Sequence, residues 1–239
     1  KLRSDNMALE QEQLYSKEEE SILTKHNVVE GELPDNINRD GIIKNRGQRF
    51  NPNPIEYLRL TKKFTQRDWV IYIFWIGIMY GLGGAMSIFL IAGLFAGAVY
   101  PPFVWLIPIG IFTFSVSITW DNIAHTVIYK EWITDSEYMV HNFSTASGVM
   151  SVFALLLAFE FPEFMKVPVY VFAVLSVVYS LIDESMHWER YSRGGSGWVE
   201  VTCHFGILIG HSLMLLAWIF WYEDGYQGFA EALSFWGIE

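Results

Sequence analysis

Five apolar runs constrain this chain more than anything else in it. They cover residues 69–100, about 103–128, about 143–161, 167–188 and 198–222. Each can supply the roughly 20 apolar residues that a helix needs to cross a hydrocarbon core. The reading is an all-α integral membrane bundle of about five transmembrane helices. Composition agrees: 52% of the 239 residues are hydrophobic and the mean hydropathy is +0.25, too apolar for an ordinary soluble domain. Gly81, Gly83 and Gly84 in the first run allow close helix approach. Pro101-Pro102 makes a tight link to the second run, Pro162 and Pro168 bracket the link after the third, and the glycine-rich stretch 194–197 is a flexible turn.

Three regions follow: a polar N-terminal arm (1–68), the bundle (69–222) and a short acidic C-terminal tail (223–239), with Trp236 as an interfacial anchor. Within the arm, 10–25 reads as a Glu-rich surface helix and 34–54 as extended loop, and the whole docks on a partner or on its own bundle. The formal net charge of −10 hides a segregation, because twelve of the 16 Lys and Arg lie in residues 1–67. Arg59, Lys62, Lys63 and Arg67 form a juxtamembrane basic cluster suited to anionic lipid headgroups. No basic stripe interleaved with aromatics appears, which excludes nucleic-acid binding. A single cysteine, Cys203, excludes an internal disulfide framework and a cysteine-rich metal site. No charged stub with a short apolar stretch opens the chain, so no cleavable signal peptide is expected. The arm and the links holding Lys130, Arg190 and Arg193 fall on one side, against Lys166 on the other, which predicts a cytoplasmic N-terminus.

One chemical pattern occurs twice in this apolar setting. Asp121-x3-His125 is followed sixteen residues later by His141, and Asp183-x3-His187 is followed seventeen residues later by His204. On the five-span topology both sets, with Glu184 and Glu200, fall at the same end of the bundle. Ionisable groups inside a membrane are costly and usually functional. Residues four apart share a helix face, so Asp121/His125, Asp183/His187 and Glu200/His204 each point together. Such nitrogen-plus-oxygen sets suit copper, iron or zinc. The pattern therefore predicts metal at Asp121, His125 and His141 and at Asp183, His187 and His204. Plainer roles fit the remaining candidates. His211 bonds a neighbouring helix, Cys203 packs, Glu160 and Glu163 are interfacial, His26 is ordinary, and Glu131, Asp135 and Glu137 are mostly solvated in a link, from which one of them could assist the site.

On these motifs the chain resembles the C subunit of the copper membrane monooxygenases, the family of particulate methane, ammonia and related hydrocarbon monooxygenases. That family carries Asp-x3-His-x12-His followed by Asn-x3-His-x13-His. Here Trp120-Asp121-Asn-Ile-Ala-His125 runs through Thr134-Asp135 to His141, Asp183-Glu184-x-x-His187 looks like the family's Asn-Glu-x-x-His, and His204-Phe-Gly206 like its His-aromatic-Gly. The resemblance covers about residues 103–222. Both sets here are three residues longer, the second opens with Asp183 instead of Asn, and Glu200 has no counterpart. It implies a divergent member with copper at each set. Glu184 would orient a histidine or relay protons. It further implies a prokaryotic cytoplasmic or intracytoplasmic membrane, A- and B-type partner subunits in a trimer of heterotrimers, and oxidation of a small substrate with O2 by a chain inactive alone.

Three other functions use the same residues. A di-iron membrane oxidase would take Asp121, Asp183, Glu184, Glu200 and the histidines. A haem-b electron-transfer subunit would use His125 with His204 or His211, although the carboxylates at that depth argue against a haem. A proton or cation transporter would use the Asp/His sets as a relay.

Overall fold

The computed structural model describes residues 53–127, 135–192 and 197–238. Expectations for 1–52, His26, Lys130, Glu131, Arg193 and the turn at 194–196 lie outside the described residues. All regular structure among the described residues is helical: α1 (Pro54–Leu60), α2 (Gln66–Phe95), α3 (Leu106–Val127), α4 (Asp135–Leu157), α5 (Pro162–Ser192), α6 (Trp198–Glu223) and α7 (Phe229–Phe235). Short 3-10 turns at Thr61–Lys63 and Pro102–Trp105 lead into α2 and α3. With that lead-in, α2 to α6 are five helices long and apolar enough to cross a membrane, the shortest 23 and the longest 31 residues. At 1.5 Å per residue they reach about 35–46 Å, enough for a hydrocarbon core of ~30 Å. Large apolar side chains such as Phe74, Phe95, Phe153, Val174, Ile209 and Phe220 face outward. In a water-soluble fold such a surface would be untenable; against lipid it is the expected one.

Local chemistry sets the helix starts. Asn53 caps α1 by accepting from the Ile55 and Glu56 amides, and the Glu56 carboxylate accepts from the Asn53 amide in return. Thr65 and Asp68 make the same reciprocal box at the start of α2. The membrane helix therefore begins inside what reads as arm in the sequence, and the end of that arm docks on its own bundle. Tyr57 is fully buried with Ala124, Val199 and Cys203, and the Trp120 indole donates to the Pro54 carbonyl at 3.1 Å. Pro162 opens α5, where its missing N–H costs nothing. Pro168 lies inside α5, so the link after α4 is shorter than the two prolines suggest.

The closest packing is between α3 and α6 and between α4 and α5, with α2 laid on α3 and α5 against α6. Glycine decides the α3–α6 crossing. A Cβ on Gly110 would lie 2.6 Å from the Met214 nitrogen, and one on Gly210 would lie 2.5 Å from the Phe114 nitrogen, so the two backbones touch. Of the three glycines expected to bring α2 close to a neighbour, only Gly83 does so, against Ile111 and Phe112; Gly81 and Gly84 face open space. At the end away from the His/Asp sets, Tyr100, Trp221, Tyr226, Phe159 and Phe229 form an aromatic cluster. The Tyr226 hydroxyl donates to the Leu155 carbonyl, and burial pushes that hydroxyl above the usual phenol range. The acidic tail is thus partly helical: α7 packs on α2, while Trp236 is exposed as expected of an anchor.

Candidate metal centre

Four helices bring one histidine each to the same place. His125 comes from the last turn of α3, His141 from the second turn of α4, His187 from near the end of α5 and His204 from the second turn of α6. Their ring centroids lie 5.2 Å (His125–His141), 5.8 Å (His125–His187 and His141–His187) and 3.3 Å (His187–His204) apart. Apolar bundles do not ordinarily gather four imidazoles, because each buried ring nitrogen needs a partner.

Carboxylates fill the spaces between the rings. Asp121 Oδ1 lies 2.9 Å from His204 Nε2 and 3.4 Å from His125 Nε2. Asp183 Oδ1 lies 2.8 Å from His141 Nδ1 and 3.6 Å from His187 Nε2. Its other oxygen lies 3.7 Å from His204 Nδ1, joining the two groups. Each aspartate meets the histidine four residues on, as helical spacing requires. The third members are exchanged relative to the sequence expectation: His204 joins Asp121 and His125, and His141 joins Asp183 and His187. The reason is packing. The sequence sets pair α3 with α4 and α5 with α6, whereas the bundle packs α3 on α6 and α4 on α5.

Glu137 is not solvated in a link. The third membrane helix begins at Asp135 rather than near residue 143, and Glu137 is 1% exposed on its inner face, one turn before His141. Its Oε1 lies 3.6 Å from His187 Nε2. Asp135 is exposed, as expected. Glu200 is fully buried; its Oε1 accepts from His187 Nδ1 at 2.9 Å and from Arg190 Nη1 at 2.9 Å. Arg190 Nη2 donates to Glu137 Oε2, so one guanidinium joins the two glutamates across α4, α5 and α6. Sequence reasoning left Arg190 as a flanking charge and Glu137 as one of three link acids, mostly solvated, of which one could assist the site. The signal for Glu137 was its four-residue offset from His141. Glu184 is buried beside the centre, and its Oε1 has no hydrogen-bond partner. His211 lies deeper, bonded through Nε2 to Ser176 Oγ of α5 at 3.0 Å, and Cys203 packs against α1. Glu160 and Glu163 are exposed at the far end.

These donors fit a metal ion. Ligand atoms held at about 2.0–2.2 Å from a cation stand roughly 3.0–3.5 Å from one another, and the contacts above run from 2.8 to 3.7 Å. His187 Nε2 is fully buried and has no hydrogen-bond partner although two carboxylate oxygens face it. Among the described residues, two triads have ligand atoms mutually within 4.8 Å: His125/His187/His204 and His141/Asp183/His187. The fold and the cluster together define a helical membrane protein enclosing a histidine–carboxylate centre. No protein-family model, no curated protein and no solved structure matches this chain.

Proposed function

We propose that the chain is the metal-binding membrane subunit of an oxidoreductase that uses O2 on a small apolar or neutral substrate, in the manner of a copper membrane monooxygenase. The observation that carries this reading is the convergence of four histidines with Asp121 and Asp183 inside an apolar bundle. A structural ion pair would need two such groups, not six. A redox metal bound there would supply oxygen activation. The chain's own residues would hold it through His125, His141, His187, His204, Asp121 and Asp183, and the surrounding apolar helices would exclude bulk water. Glu184, which is buried, would hold or pass a proton. Hydrocarbon dissolved in the bilayer would reach the centre laterally between helices. Arg59, Lys62, Lys63, Arg67 and Arg190 lie at the metal end and Lys166 at the other, which supports a cytoplasmic metal end and N-terminus. The resemblance adds A- and B-type partner subunits.

One observation favours a second metal. Glu137, buried with Oε1 facing His187 Nε2, makes the centre richer in oxygen than the resemblance implies, and oxygen-rich donor sets in helical bundles hold iron. Elemental analysis of the native membrane complex with its EPR spectrum tests both. A type-2 Cu(II) signal that disappears in His125→Ala and His187→Ala supports copper, and iron without copper supports the second reading. Equal metal content and activity in wild type and both variants overturns the proposal.

A further inference from the structure

The centre is built by an internal repeat. The first copy reads Asp121-x3-His125-x11-Glu137-x3-His141 on α3 and α4; the second reads Asp183-x3-His187-x12-Glu200-x3-His204 on α5 and α6. Four consecutive membrane helices therefore each bring a carboxylate–histidine pair to this end of the bundle, always four apart and always carboxylate first. The contacts repeat as well. Exchanging the copies turns the His204–Asp121 contact (2.9 Å) into His141–Asp183 (2.8 Å), and the His125–Asp121 contact (3.4 Å) into His187–Asp183 (3.6 Å). The packing obeys the same exchange, since α3 on α6 becomes α5 on α4.

A duplicated ligand set makes two half-sites. The half on α3 and α6 holds Asp121, His125 and His204. The half on α4 and α5 holds Asp183, His187 and His141, with Glu137 Oε1 facing the same His187 nitrogen as Asp183 Oδ1. A neutral imidazole nitrogen has one lone pair and cannot bridge two cations, but a carboxylate can. Asp183 sends Oδ1 to His141 and His187, while its Oδ2 lies 3.7 Å from Nδ1 of His204, the ring whose Nε2 meets Asp121 in the other half. Resting on the metal reading above and going beyond it, the geometry points to a dinuclear centre in which Asp183 bridges two first-row cations and Glu137 is a ligand. The repeat breaks at the glutamates. Glu200, the counterpart of Glu137, instead binds His187 Nδ1, so the two metal positions are inequivalent.

The test is a count of ions on the full-length chain, purified in detergent and loaded anaerobically with Fe2+ or, separately, with Cu+. The expected result is two ions per chain with one of these metals, falling to one in Glu137→Gln. The oxidised pair should be magnetically coupled, giving the integer-spin ground state of two joined ions rather than two isolated signals. Saturation at one ion per chain overturns the dinuclear centre and leaves the metal reading standing. No retention of either metal overturns both. Two ions and an unaltered spectrum in Glu137→Gln remove Glu137 from the ligand set. Where that variant fails to fold, the wild-type count still decides the nuclearity.

Discussion

Both ring nitrogens of His187 face carboxylates, but only Nδ1 is hydrogen-bonded. Nδ1 faces Glu200 at 2.9 Å, while Nε2 faces Asp183 and Glu137. A carboxylate accepts only, so with a cation in the centre Glu200 would hold the ring proton on Nδ1 and leave the Nε2 lone pair for the ion. Loss of an outer carboxylate of this kind weakens metal binding by about 10–100-fold. Glu200→Leu is therefore expected to bind metal that much more weakly in a chelator-competition titration, and Glu200→Gln, which keeps an acceptor, to lose much less. Equal losses in the two variants would show that Glu200 acts by charge alone. At this scale the sequence exposes Asp121/His125, Asp183/His187 and Glu200/His204, because helical spacing is local. It conceals Arg190 and the exchange of His141 with His204, because these depend on which helices pack together.

Helix pairing rests on Gly110 and Gly210, where two backbones meet. Adding side-chain atoms to a packed interface costs about 1–3 kcal/mol. Gly110→Ala should lower the unfolding midpoint in detergent, whereas Gly84→Ala, on a face with nothing within 4 Å, should leave it equal or higher through improved helix propensity. Similar losses in both would contradict the close α3–α6 crossing. At the opposite end, Tyr226→Phe removes the hydrogen bond to Leu155, and the same measurement should show a loss of about 1 kcal/mol. The apolar runs place all five spans, because burial in lipid writes itself into every residue of a helix. The start of α4 is hidden for the opposite reason. Its first turns carry Asp135, Ser136, Glu137 and His141, polar residues that resemble a solvated link until the bundle supplies partners for Glu137 and His141. The glycines of α2 show the same limit, since sequence reveals three small residues and packing uses only Gly83.

Among the described residues, the helical bundle concentrates its buried polarity at one end and its aromatic packing at the other, with lipid-facing helices between. Four helices joined through one centre should be held together by its occupant. A ligand at a hundred times its dissociation constant adds about 2.7 kcal/mol to stability. Chelation should thus lower the thermal midpoint of wild type and leave that of His187→Ala unmoved; an equal response in the two would mean that the metal binds elsewhere. The most direct measurement is X-ray absorption at the metal edge of the loaded full-length chain. A single shell of nitrogen and oxygen at about 2.0–2.2 Å with imidazole outer-shell scattering is the expected result. A sulfur shell at ~2.3 Å, which only Cys203 or a methionine can supply, or a shell without imidazole, would contradict a centre built by these four histidines.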